Sequence, residues 1–215
     1  MNERSIQAVP AHNDEVVLKH SYPIRVQNAI IQQAISADGL TLTAAGRLNQ
    51  TSVQRILNDI EPIMALGRES EKRERKRESD VYKLEIMRKR LITLGVVRPQ
   101  GGKLLVNDNA ETRPSNLFNL QLLPEVTAIL TKAVPMFTRL QFRPFVDFVS
   151  AIADGQNAST ALRSVSEHVR GPIEQNSVLS SVISPQILRP FFEVGLLVNF
   201  PICTTRLWDE VIRIS

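Results

Sequence analysis

The groups in this 215-residue chain that suggest catalysis are three histidines, one cysteine and two short patterns. Each lacks the spacing its chemistry needs. His12, His20 and His168 form neither HExxH nor any other metal-ligating arrangement, because ligands must converge from neighbouring turns. Cys203 lies among Pro201, Ile202 and Thr204, with Arg206 as the nearby base. A reactive thiolate needs an electropositive setting, so Cys203 reads as a small packed or edge residue. Gly101-Gly102-Lys103 superficially matches a phosphate loop, but Val97 stands where the earlier glycine belongs and Leu104 follows the lysine in place of Ser or Thr. Asp59 followed by Glu74-Arg75-Lys76 has the order of a Mg²⁺-dependent nuclease, whose carboxylates must be fixed at buried strand ends. Here the second half falls in the most hydrophilic stretch of the chain. We therefore expect no catalytic residue, no metal site and no cofactor.

Binding chemistry remains. If residues 80–94 form a helix, about 100° per residue places Leu84, Met87, Leu91 and Leu94 on one side, with Val81 and Arg88 at its margin. The opposite side carries Tyr82, Lys83, Ile86, Lys89, Arg90 and Thr93. Lysine and arginine reach guanine edges and phosphates, and tyrosine or threonine contacts the sugar-phosphate backbone. Arg98 and Lys103 flank a Pro/Gly turn just beyond, within reach of further phosphates. The expected DNA-contacting set is Tyr82, Lys83, Lys89, Arg90, Arg98 and Lys103. From Lys83 to Lys103 six basic side chains face one acid, Glu85, a local excess of five against a net charge of +4 for the whole chain.

The elements that position this face follow from pattern. Residues 1–22 are polar, contain Pro10 and lack helical periodicity, so they read as a flexible arm. Ile24, Ala29, Ile30, Ile31, Ala34 and Ile35 predict a helix that stops at Asp38-Gly39, and Leu40 to Thr43 predict a strand. A second helix is predicted over 50–60, capped by Asn49 or Thr51, with Val53, Ile56, Leu57 and Ile60 buried and its end before Pro62. Residues 61–79 form a charged insertion: 68–80 alone hold six basic and five acidic side chains. Such a mixed run reads as a solvated surface segment. The third helix, 80–94, ends at Gly95 and leads into Val96-Val97-Arg98, Pro99-Gln100-Gly101-Gly102 and Lys103 to Val106, a hairpin signal.

That order, and the segment from Leu91 to Val106, resembles the winged helix-turn-helix superfamily, in which a third helix runs through a glycine into a β-hairpin called the wing. The resemblance covers roughly residues 24–107 and implies duplex recognition by the third helix and wing. The insertion between second and third helices departs from the superfamily's short turn.

Residues 108–116 read as a linker, and 117–215 as an apolar helical domain in which Pro124, Pro135 and Pro144 mark starts or breaks. A helix is predicted over 159–169, and Ser184-Pro185 is a start signal for another that ends at Gly195. Leu91, Leu94, Gly95, Val96 and Val97 match Phe191, Val194, Gly195, Leu196 and Leu197. A second, degenerate winged helix is therefore expected over 140–215, with a long hairpin loop from Asn199 to Asp209 and a closing strand, Val211 to Ile214.

The fold class expected is mainly α with small β-hairpin wings. An apolar fraction of 43% and a charged fraction of 22% suit a chain that buries a core and exclude a wholly disordered one. One cysteine excludes a disulfide framework, and no apolar run reaches the roughly 18 residues of a membrane span. Residues 1–10 lack the apolar core of a signal peptide, so a cytoplasmic protein is expected. The expected function is non-enzymatic binding of double-stranded DNA as a regulator, replication initiator or DNA-processing accessory factor. The C-terminal domain is expected to serve self-association or a protein partner. The alternative is a non-catalytic interaction subunit similar to the kleisin-binding tandem winged-helix subunits of bacterial condensins.

Overall fold

The computed structural model describes residues 5–64, 77–81, 83–139, 144–165, 179–199 and 202–215. They form a mainly helical protein with small antiparallel sheets, divided into two compact units. One comprises residues 23–114. The other combines residues 1–22 with 115–215.

In the first unit, helix α2 (Tyr22–Ser36) buries Ile24, Val26, Ala29, Ile30, Ile31 and Ala34. Ile35, placed on the buried stripe by periodicity, is 57% exposed at its end. Asp38 and Gly39 then take positive φ, and the Gly39 amide bonds back to the Ala34 carbonyl at 2.7 Å. Strand β2 (Leu40–Thr41) leads through a turn to α3 (Gln50–Met64), where Asn49 provides the cap by accepting from the Ser52 amide at 2.8 Å. The helix continues past Ile60 through Pro62, because a proline in the last turn removes a hydrogen bond that few further residues depend on. Of the expected insertion 61–79, residues 61–64 belong to α3 and 77–79 are described, while 65–76 lie outside the described residues.

The expected helix 80–94 is in two pieces. A single 3₁₀ turn, Glu78–Asp80, precedes α4 (Leu84–Thr93), and Lys83 joins them with a left-handed backbone at φ +60°. The reason is Glu78. Its side chain is buried against Arg88, which fixes the turn apart from the helix axis. Strands β3 (Val97–Gln100) and β4 (Lys103–Val106) follow, joined by Gly101 and Gly102, both at positive φ as a tight primed turn requires. The sheet order is β2-β4-β3, all antiparallel.

In the second unit, residues 5–22 are not an unstructured arm: they carry β1 (Ile6–Ala8) and α1 (Asp14–His20). Strand β1 pairs with β7 (Ile212–Ile214), Ile6 opposite Ile214. The backbone of Ala11 exchanges two hydrogen bonds with the Asn119 side chain, at 2.7 and 2.8 Å. Asn13 caps α1 by accepting from the Glu15 and Val16 amides. Such long-range partners replace the periodicity that the segment lacks.

Helices α5 (Pro114–Gln121), α6 (Leu123–Arg139), α7 (Phe145–Ala153) and α8 (Ala158–Val165) follow. The expected linker 108–116 thus ends inside a helix. Pro124 and Pro144 mark starts, but Pro135 is no break: it lies inside α6, on the exposed side of a helix held by buried Val126, Ile129, Leu130, Ala133 and Phe137. Phe137, Phe145 and Phe148 pack together, ring centroids 5.1 to 6.2 Å apart. Part of the helix expected over 159–169 lies outside the described residues. Pro185 does not start its helix either. A π-helical stretch, Leu179–Leu188, passes through it, the wider turn accommodating a ring that would collide in α geometry, and continues as α9 (Arg189–Val194).

The loop expected over 199–209 contains structure. Strands β5 (Leu197–Asn199) and β6 (Ile202–Thr204) form a short hairpin, and α10 (Arg206–Val211) precedes β7. The final strand thus leaves the hairpin and joins β1.

The match around Gly95 and Gly195 extends to the hydrogen bonds. Gly95 and Gly195 are both left-handed; Val96 N bonds Leu91 O, and Leu196 N bonds Phe191 O, each at 2.9 Å. After each hairpin one residue closes the junction. Asn107 N bonds Val96 O while its side-chain amide donates to Gly95 O at 2.5 Å; Thr205 N bonds Leu196 O while its hydroxyl donates to Gly195 O at 2.8 Å.

Candidate nucleic-acid interface

The basic surface of residues 23–114 is set by a buried polar clamp. Arg88 Nε donates to Glu78 Oε1 at 2.6 Å, and the backbone amide of Leu48 donates to Glu78 Oε2 at 3.0 Å. Glu78 and Arg88 are 2% and 5% exposed, so the pair ties the turn before α3, the 3₁₀ turn and α4 into one piece. An unpaired buried charge would be expensive, which makes this three-way connection a strong positional constraint. Arg88, expected at the margin of the apolar stripe, is therefore inside. Leu94, expected inside, is 36% exposed at the end of α4, where the chain turns away at Gly95.

The clamp also brings up a residue that helical periodicity does not indicate. Arg47 lies in the turn whose Thr43 amide bonds the Arg47 carbonyl at 2.7 Å, and its charge acts on Glu85 in the first turn of α4. Lys89 Nζ sits 2.7 Å from Glu85 Oε1. The hydrogen bond from Lys89, then its charge, and more weakly those of Arg47 and Arg88, hold the Glu85 carboxyl below its ordinary value. The one signal for Arg47 in the sequence was Gly46 beside it, marking a turn.

The expected contact residues are placed as follows. Lys89 is exposed on α4, Lys83 and Arg90 are half-buried at its start and last turn, and Thr93 is exposed. Arg98 is exposed on β3, opposite Leu105, and lines an open groove with Gly95, Asn107 and Asp108. Lys103 turns back to the turn after α2: its ammonium donates to the Asp38 carbonyl at 2.8 Å and lies 3.4 Å from the Asp38 carboxylate. Gly39 allows this approach, since a Cβ there would fall 3.0 Å from the Lys103 side chain and 2.6 Å from Leu105. Tyr82 lies outside the described residues.

Six basic side chains and Glu85 gave a local excess of five; the partners Glu78 and Asp38 lower it to three, and Arg47 restores it to four. Among the described residues no group of three metal-ligating side chains converges, and no helix is long and apolar enough to cross a membrane. Compared with family models, curated proteins and solved structures, the chain matches none.

Proposed function

We propose that the chain is a non-enzymatic binder of double-stranded DNA, with residues 23–114 a winged helix. On this reading α4 enters the major groove and the hairpin β3-β4 is the wing. Lys83, Lys89, Arg90 and Arg98 supply contacts to phosphates and base edges, with Arg47 and Lys103 beside them. The observation that carries the reading is the joining of a basic helix face to a hairpin bearing Arg98 through a left-handed glycine, on a helix anchored from behind by Glu78 and Arg88. An anchored cationic helix can meet a rigid duplex without losing order.

Residues 115–215 with 1–22 are proposed as an interaction module for self-association or a protein partner. This unit exposes Leu120, Val198 and Ile214, apolar groups suited to a protein surface. The alternative, an interaction subunit of the kleisin-binding kind, rests on the same groups and dispenses with DNA contact.

Fluorescence anisotropy on a random-sequence duplex at two salt concentrations tests the choice. Direct binding gives an affinity that falls steeply with salt. Lys89→Ala with Arg90→Ala weakens it and lowers the salt slope by about two phosphate contacts' worth. No binding at low salt, or a double variant that binds like the parent, rejects the proposed interface.

A further inference from the structure

Resting on the DNA-binding reading, we infer that Ile86 is a specificity-determining residue that reads the 5-methyl group of a thymine in the major groove. Ile86 lies in the first turn of α4 and is 51% exposed. Single exposed apolar residues are ordinary on protein surfaces, so exposure alone carries nothing. What distinguishes Ile86 is its setting. Three and four residues after it stand Lys89 and Arg90, its neighbours on the helix surface, and Lys83 lies just before the helix at its left-handed N-cap.

Those cations suit phosphates and guanine edges, whereas Ile86 has no group for either. Among major-groove edges, thymine is the one that presents a methyl group, and apolar side chains are its complement. The first turn is also the part of a recognition helix that approaches base edges. Isoleucine suits the task mechanically. Its β-branched side chain is held to one main χ1 rotamer in a helix, so little freedom is lost on contact. Beside it, Lys89 Nζ lies 2.7 Å from Glu85 Oε1. A protein partner without acidic groups would bury the surrounding cations unpaired, whereas a phosphate backbone pairs them as it desolvates them.

The test uses the full chain. A duplex is selected from a random-sequence library at low salt, and each thymine in the selected site is replaced in turn by deoxyuridine, which removes only the methyl. One replacement is expected to weaken binding about fourfold, the worth of one buried methyl. Ile86→Ala, a truncation at an exposed site, is expected to bind the thymine and deoxyuridine duplexes equally while retaining its salt dependence. A parent chain indifferent to every replacement, a bound pool without a preferred thymine, or an Ile86→Ala variant that still discriminates overturns the inference and leaves DNA binding standing. A library from which nothing is retained overturns both.

Discussion

The junction at Gly95 stands open, while the junction at Gly195 is covered. A Cβ added to Gly95 would meet nothing within 4 Å, whereas one added to Gly195 would lie 2.1 Å from the His20 carbonyl oxygen and 2.9 Å from the Ser21 Cα. The hydrogen bonds that close the two helix-to-hairpin connections correspond, with one further bond from Gly195 N to Phe191 O at the second, so the local chain solves the same problem twice. What differs is what lies outside. At Gly195 the end of α1 is laid against the glycine, and the residues after Thr205 form α10. At Gly95 the residues after Asn107 are not helical, and they line a groove with Arg98. One geometry thus serves either as a packing surface for the chain's own N-terminal segment or as an accessible rim. On the proposed reading, the open copy is the one that meets DNA.

The helices before the two glycines are also anchored by opposite means, and this gives the largest expected effects. Arg88 on α4 is held by a buried ion pair, whereas Phe191 on α9 meets the Trp208 ring edge-to-face, with centroids 5.5 Å apart. Arg88→Ala strands the Glu78 carboxylate and is expected to cost about 3–5 kcal/mol. Trp208→Ala leaves a cavity and is expected to cost about as much, 3–5 kcal/mol. Rescue separates them. Arg88→Met combined with Glu78→Gln keeps an acceptor for the Leu48 amide and removes both charges but buries an amide donor facing methionine, and is expected to recover part of the loss. Urea unfolding followed by circular dichroism is the measurement. If the double variant is as unstable as Arg88→Ala, neither lost packing nor a stranded charge explains the loss, and the hydrogen-bonded ion pair itself is what Arg88 supplies.

The glycines themselves come next. Gly195→Ala combines a left-handed backbone with a collision against main chain that no side-chain rotation relieves. It is expected to cost about 3 kcal/mol and to loosen α1. Gly95→Ala has only the backbone cost, about 1 kcal/mol. The single tryptophan, Trp208, lies in the unit containing Gly195, so its fluorescence reports the first substitution selectively. Equal losses from the two substitutions would refute the distinction between open and covered junctions.

These contrasts also mark what a sequence can tell. The apolar stripes of α2, α3 and α4, and the passage from helix through glycine to hairpin, are local patterns and were legible. The likeness of Leu91 to Val97 and Phe191 to Leu197 was legible too, because it rests on a glycine that must be left-handed amid apolar positions that must be buried. The cover on Gly195 was not, since β1 finds its partner more than 200 residues away and three residues of strand carry no periodicity. Glu78 and Arg88 misled for a different reason: periodicity assigns charge to solvent, and a charge buried against its opposite looks the same in a sequence as an exposed one. Arg47 acts on Glu85 only because that clamp folds its turn towards α4.

The smallest expected effect tests the two helices' surface pairs, which run in opposite directions. In α4 the acid precedes the base, Glu85 with Lys89 at 2.7 Å; in α9 the base precedes the acid, Arg189 with Glu193 at 3.3 Å. The helix dipole favours an acid near the N-terminus and a base near the C-terminus, so the first order is the better one. Because Glu85 is held below its ordinary 4.5, folding favours its charged form. Its contribution to stability is present above that pH and fades as the pH falls through the lowered value. The Glu85 carboxyl resonance, followed by NMR against pH, is expected to titrate below 4.5 in the parent and to move up towards it in Lys89→Ala. Arg47→Ala should move it less, its charge acting more weakly than the direct bond. Exchanging Arg189 and Glu193 is expected to stabilise the chain by about 0.2–0.5 kcal/mol, since it gives α9 the order that α4 already has. An unchanged Glu85 titration in Lys89→Ala would mean that the pair does not persist in solution.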